Sequence, residues 1–268
     1  MQHLNEITSG SARCSVYVAH RRHLQDMHRN QLDSIEAGRR GRYRIAADRD
    51  RFTLAAVLLR AVVGRATGVG ASAVVVDRTC DSCGDSHGRP RLPGSDLEVS
   101  ISHSGDVVAV AVTTAGPVGV DVEQLGVGHA DLVSTVCTES ELRHVGTAAD
   151  FYAYWTRKES VLKATGDGLR RPMTSIEVTP PVAAAALVSL DGSPGVACRM
   201  TDLRIAGYAG AVAVLAATQV SFDVFDASWL LQPAHGSAGR PAVLAAHPKG
   251  SSVEFAKWAT VPAMARRW

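Results

Sequence analysis

Glu159 and Lys163 stand four residues apart in the segment from Phe151 to Leu169, FYAYWTRKESVLKATGDGL. A helix places an acid and a base at that spacing on one face, and Trp155, four residues before Glu159, shares it. Lys158 lies just beside that face. Phe151, Tyr154, Trp155, Val161 and Leu162 are too apolar for a solvent-bathed helix, so the acid and the lysine are carried near the edge of a packed interior. Glycines then stop the helix. Such a pair can hold a cation, move a proton or neutralise an anion. Taken by itself it reads as an ordinary surface Glu/Lys pair, worth about 0.2–0.5 kcal/mol.

Asp121-Val122-Glu123 is a second acidic feature. On a strand the two carboxylates point to one face and Val122 to the other. Their mutual repulsion is relieved by a divalent cation between them, and an all-oxygen donor set suits Mg²⁺ beside a phosphate-bearing substrate, with Glu159 as a third ligand. Read alone, the triplet is equally the solvated end of a strand. In Ser100-Ile101-Ser102-His103-Ser104-Gly105 a strand ends in hydroxyls, an imidazole and a glycine turn, groups that donate to phosphate oxygens. A Ser-His-acid hydrolase fits poorly, because Ser102 and His103 point to opposite faces and the chain has no G-x-S-x-G elbow. Alternatively His103 is a turn residue satisfied by backbone.

The elements that must position these groups are legible in outline. From Asp48 the sequence reads as a helix with an apolar face of Phe52, Val57, Leu58 and Leu59, arginines in its first turns and Gly64 as its stop. Short strands are expected at Ala73–Val76, Leu97–Ser102, Val107–Val112 and Val118–Val122, with a Gly-, Pro- and Asp-rich loop from Cys80 to Gly94. Thr138 and Glu141 form a capping box that opens the helical region leading to Trp155. Strands around Ile176–Thr179, Ala184–Leu190 and Leu203–Ala217 then echo the first half, and Phe222–Leu231 could add a last strand. Two α+β halves would enclose a cleft, a common place for a ligand. Beyond Gln232 the composition predicts a loosely ordered tail with a short helix before Trp268.

With 268 residues, 46% hydrophobic and 20% charged, the chain can fill one large domain or two small ones. Its apolar runs are too short to span a bilayer and its polar start lacks a signal peptide's pattern, so a cytoplasmic protein without membrane contact is expected. A net charge of +2 argues against nucleic acid as partner. Arg39, Arg40, Arg42, Arg44, Arg49 and Arg51 nevertheless cluster, which suits a local anion site. The five cysteines, Cys14, Cys80, Cys83, Cys137 and Cys198, lack the spacing of a disulfide scaffold. Cys80, Cys83 and His87 could be three zinc ligands, but a structural site takes four and no second Cys or His pair lies at a suitable distance, so incidental thiols in a loop are expected.

Gly88-Arg89-Pro90, VSISHSG, VGVDVE and FYAYWTRKESVLKATGDGL, in this order and at these distances, resemble the Sfp-type 4′-phosphopantetheinyl transferases. The resemblance covers about residues 35–231, with core motifs in 88–169. It implies an α+β fold, a pseudo-dimer of two similar α/β subdomains with the active site in the cleft between them. Residues 1–113 and 114–231 would form the halves, and 232–268 the tail. It also implies transfer of the phosphopantetheine arm of coenzyme A to a serine of an acyl or peptidyl carrier protein, leaving adenosine 3′,5′-bisphosphate. By position Asp121, Glu123 and Glu159 would hold Mg²⁺, or Mn²⁺ in its place. Glu159 could also accept the serine proton, and Lys163 would neutralise or protonate the leaving bisphosphate, with Lys158 adding charge at the pyrophosphate. Arg89, where the family often has lysine, would lie near adenine and ribose, and Ser102 and His103 at the phosphates. Arg51, with Arg44 or Arg42, would take the 3′-phosphate. Such proteins serve peptide and polyketide synthases, siderophore assembly or fatty-acid synthesis, and a chain of two halves works as a monomer. The carrier protein is expected to dock through the segment between Gln124 and Val136. Two rival functions are a Mg²⁺-dependent phosphohydrolase and a non-catalytic relative that only binds carrier protein or coenzyme A.

Overall fold

A computed structural model describes residues 12–126 and 130–232. The expected tail and its helix before Trp268 lie outside the described residues, as do residues 127–129 of the expected docking segment.

The strands are β1 (Ala12–His20), β2 (Glu98–Ser104), β3 (Val107–Thr113), β4 (Val118–Gln124), β5 (Ile176–Val178), β6 (Leu187–Leu190), β7 (Ser193–Pro194), β8 (Arg199–Asp202), β9 (Tyr208–Val214) and β10 (Val220–Asp226). The helices are α1 (Ser34–Arg42), α2 (Ala46–Thr67), the one-turn α3 (Val133–Val136) and α4 (Glu139–Leu142), and α5 (Ala148–Thr165). One sheet has the order β10-β1-β3-β2, a second β4-β9-β8, and a small third β5-β6-β7.

Side-chain alternation explains how the layers stack. In β3 the residues Val108, Val110 and Val112 pack with Leu54, Leu58 and Val62 of α2, while Val107, Ala109 and Ala111 turn the other way. There they meet Val118, Val120 and Val122 of β4 and Val212 and Val214 of β9. Two sheets thus share a core whose outer sides are covered by α2 and by α5, each strand using its two-residue period to serve two layers. The α+β class is as expected. The ninth strand and α5 enclose a third apolar cluster with Phe151, Tyr152, Tyr154, Leu162 and Ile176.

Several boundaries differ from the sequence expectation. The α2 helix runs through Gly64 and ends at Gly68, whose φ of 75° is the left-handed C-cap. Gly64 is inside because its backbone passes the following loop closely: a Cβ there would lie 2.6 Å from Val69 O. Ala73 closes a 3₁₀ turn at Ala71–Ala73 instead of opening a strand. The capping box at Thr138 and Glu141 is present but opens only α4. A second box, Thr147 with Asp150, opens α5. The strand β1 was not foreseen. It pairs in parallel with β10, from Ala12 opposite Val220 to Val18 opposite Asp226, so the last strand crosses from the second half of the chain into the first sheet.

Candidate active site

The site is built where β4 runs between β2 and α5. Gly119, Asp121 and Glu123 occupy the face of β4 opposite its core valines. Gly119 lets the helix come close: a Cβ would fall 1.9 Å from Ser160 O and 2.7 Å from Ala164 N, both backbone atoms of α5. That contact holds Glu159 and Lys163 against the strand that carries the two acids. Asp121, Glu123 and Glu159 are 3%, 9% and 5% exposed, so the acidic triplet is not a solvated strand end.

Lys163 Nζ donates to Asp121 Oδ1 at 2.6 Å and to Val120 O at 2.9 Å. The i,i+4 pair is therefore not a surface decoration. The lysine reaches across to β4, while Glu159 faces the other acids. Burial, then the neighbouring Asp121 carboxylate, push the Glu159 carboxyl up to about 7, with Glu123 adding to the rise and Lys163 opposing it. Asp121 Oδ2 is buried and accepts no hydrogen bond from any of the described residues. A buried oxygen without a donor and an acid kept from ionising by burial and then by like charge both fit a hard divalent cation with carboxylate ligands. Among the described residues, however, the acids do not close into a set with ligand atoms mutually within 4.8 Å, a spacing met by Cys80, Cys83 and His87. Lys163 occupies part of the balance of charge at Asp121 instead.

The second strand contributes a feature that motif reading missed. Ser100, Ser102 and Ser104 line one face of β2, and their hydroxyls accept from the backbone N–H groups of Val120, Val122 and Gln124 at 3.1, 3.3 and 3.1 Å. Ser102 and Ser104 in turn donate to Asp121 Oδ1 at 2.8 Å and Glu123 Oε2 at 2.6 Å. This hydroxyl ladder joins the two sheets and aims both carboxylates. The alternation S-x-S-x-S was the available signal. Ser102, expected at phosphates, is committed to this ladder, whereas His103 lies on the opposite face of β2, shared with Val99 and Ile101 against α2. The structure thus does not bring Ser102 and His103 together.

A family model described as the 4′-phosphopantetheinyl transferase superfamily matches residues 117–213, the stretch from the start of β4 into β9 that holds all three acids and Lys163. The 4′-phosphopantetheinyl transferase HetI of Nostoc sp. (strain PCC 7120 / SAG 25.82 / UTEX 2576) is 32% identical over 168 residues, 58% of this chain and 67% of HetI. The chain belongs to the 4′-phosphopantetheinyl transferase superfamily. A Bacillus subtilis 4′-phosphopantetheinyl transferase is 33% identical over 99 residues, and Sfp of Bacillus subtilis (strain 168) is 29% identical over 139 residues. These matches cover 34% and 49% of this chain, and span only 44% and 58% of the respective relatives.

Lys158 does not lie where the sequence resemblance put it. It is fully buried, with Nζ 2.5 Å from Glu141 Oε2, 2.7 Å from Val136 O and 3.1 Å from Met173 O. One residue before Glu159, it lies about 100° away around the helix, on the stripe of Tyr154 and Leu162 that faces the core. Its role as a pyrophosphate contact is corrected to that of an internal tie between α5, α4 and the 3₁₀ turn Met173–Ser175. Arg157 is likewise buried, donating to Asp202 and to the carbonyls of Thr179, Pro180 and Ala183.

The other expected cations occupy two regions. Arg51, at the head of α2, pairs with Asp48 and donates to Gly105 O at 2.7 Å, next to the turn after His103. Arg44 is exposed between α1 and α2. Arg89 donates to Glu98 at 2.8 Å and lies at the glycine stop of α5, where a Cβ on Gly166 would meet its Nη1 at 3.2 Å. A separate cavity of about 310 Å³, lined by Arg21, Arg22, Arg29, Asp50 and Asp106 among others, opens near the head of α2 and not at the acids. No described helix is long and apolar enough to cross a membrane.

Proposed function

We propose that this protein transfers the 4′-phosphopantetheine arm of coenzyme A to a serine hydroxyl of an apo acyl or peptidyl carrier protein, releasing adenosine 3′,5′-bisphosphate. The observation that carries this reading is the buried set Asp121, Glu123 and Glu159 with Lys163 Nζ 2.6 Å from Asp121, inside the segment that matches the superfamily. The three acids would hold Mg²⁺, or Mn²⁺ in its place. The chemistry of that cation is Lewis acidity at the phosphoryl group and compensation of charge on the pyrophosphate oxygens.

The chain's own residues supply the rest. Glu159, whose carboxyl burial and the neighbouring acids push up in the metal-free protein, is the group placed to take the proton of the incoming serine. Lys163 is the cation beside the acids and neutralises the departing bisphosphate. Ser102 acts through Asp121, whose carboxylate it orients. Arg51 and Arg44 serve the 3′-phosphate from the head of α2, His103 the phosphates from the α2 side of β2, and Arg89 the nucleotide from the end of α5. The slight excess of positive charge, +2, suits an acidic carrier protein. The expected setting is a cytoplasmic monomer that activates peptide or polyketide synthases.

The test is the intact mass of an apo carrier protein incubated with this protein, coenzyme A and Mg²⁺. A gain equal to one phosphopantetheine per carrier is expected, lost in Asp121→Asn and strongly diminished in Glu159→Gln. No gain with any carrier would sink the proposal, and an undiminished gain in Glu159→Gln would remove that residue from the chemistry. Inorganic phosphate released from coenzyme A without a carrier would point to a phosphohydrolase instead.

A further inference from the structure

The loop between α2 and β2 brings together Cys80, Cys83 and His87, whose ligand atoms all lie within 4.8 Å of one another. Cys83 Sγ and His87 Nε2 are 2.9 Å apart. The sequence expectation of incidental thiols does not explain why the backbone is folded so closely around them. Gly84 N donates to Cys80 O at 2.9 Å, Cys80 N to Asp85 O at 2.8 Å and His87 N to Asp85 O at 2.9 Å. Gly84 has a φ of +77°, the left-handed conformation that turns the chain back after Cys83. Gly88 closes the turn against Thr79, where a Cβ would fall 2.5 Å from the carbonyl oxygen. Of the two carboxylates between Cys80 and His87, Asp81 is engaged by both Nη atoms of Arg91, at 2.9 and 2.5 Å, and Asp85 does not belong to the converging group. The side chains that converge are two thiols and an imidazole.

We infer that Cys80, Cys83 and His87 form a site for a thiophilic divalent cation of the zinc class, separate from the carboxylate site. Two sulfurs and one imidazole select Zn²⁺ over Mg²⁺. Cys83 and His87 are exposed, so water completes the tetrahedron. Binding breaks the two S–H bonds, forms two metal–sulfur bonds and one metal–nitrogen bond, and releases two protons to solvent. The site would stiffen a loop that reaches the end of α5: Arg170 bridges Ser82 Oγ at 3.2 Å and Gly166 O at 3.1 Å, and Arg89 follows Gly88 in the same loop. This inference does not depend on the transferase reading.

The experiment titrates the reduced, metal-stripped full chain with Co²⁺ and reads thiolate-to-cobalt charge-transfer absorption. One equivalent should saturate the band, Zn²⁺ should displace it and excess Mg²⁺ should not. Stoichiometric binding should be lost in Cys80→Ser/Cys83→Ser and in His87→Ala, with far-UV circular dichroism confirming that these loop variants fold. Absence of the band in the wild type, its survival in the double variant, or displacement by Mg²⁺ would each overturn the inference. Should the double variant fail to fold, His87→Ala with wild-type binding would overturn it equally.

Discussion

Replacing Glu159 by Gln in metal-free protein should stabilise it, by an amount that depends on pH. The carboxyl has a pKa of about 7 against an ordinary value of 4.5, so the folded state disfavours the charged form. The sign follows from linkage. A carboxyl raised on folding costs little below pH 4.5, and its cost grows as pH climbs towards 7, because the unfolded chain releases a proton that the folded one retains. The difference of about 2.5 units, at 1.36 kcal/mol each, sets a full cost of about 3 kcal/mol above pH 8, of which less than about 1 kcal/mol is felt near pH 5. Glutamine keeps the shape and removes the charge. For a domain of this size, about 3 kcal/mol corresponds to a Tm about 6–12 °C higher than that of the wild type at pH 8, shrinking to a small difference at pH 5. The assay is a thermal melt in EDTA across that range, repeated with saturating Mg²⁺ at pH 8. The cation should raise the wild-type Tm and leave Glu159→Gln far less affected. Equal melting of the two proteins in EDTA at every pH, or a wild-type advantage that grows with pH, would refute the reasoning.

Two further outcomes follow from the packing around the acids. Gly119→Ala should cost about 3 kcal/mol, the upper end of overpacking, because the added Cβ meets backbone atoms of α5 that cannot rotate away; a denaturant titration reads it, and a wild-type midpoint would contradict the close approach. Lys158→Met should cost about 3–5 kcal/mol by leaving Glu141 charged and buried, and Lys158→Met/Glu141→Gln should recover a large part of it, which a double-mutant cycle by chemical denaturation measures.

The parts of this molecule legible from sequence are those in which chemistry and periodicity coincide. Asp121 and Glu123 fall on one face because a strand repeats every two residues, and Glu159 and Lys163 because a helix brings every fourth residue round; neither statement needs tertiary knowledge. What periodicity cannot supply is which neighbour each face meets. Lys158 shows the consequence: a step of one residue from Glu159 turns it from the acids to Glu141, 2.5 Å away. Sequence distance made it look like part of the site, and helical angle removes it. The serines show the converse. Their alternation was visible, yet hydroxyls on an edge-like strand read as phosphate donors until β4 is seen to present three backbone N–H groups to them. Each hydroxyl that accepts from the backbone of β4 leaves its own proton for one other partner, and for Ser102 and Ser104 that partner is an acid of the site. The ladder therefore couples sheet docking to carboxylate orientation. A slip of β2 against its ladder partner β3 by one residue would turn its serines away from Asp121 and Glu123 and present Val99 and Ile101 to β4 instead, so the same register that closes the first sheet also fixes where the acids point.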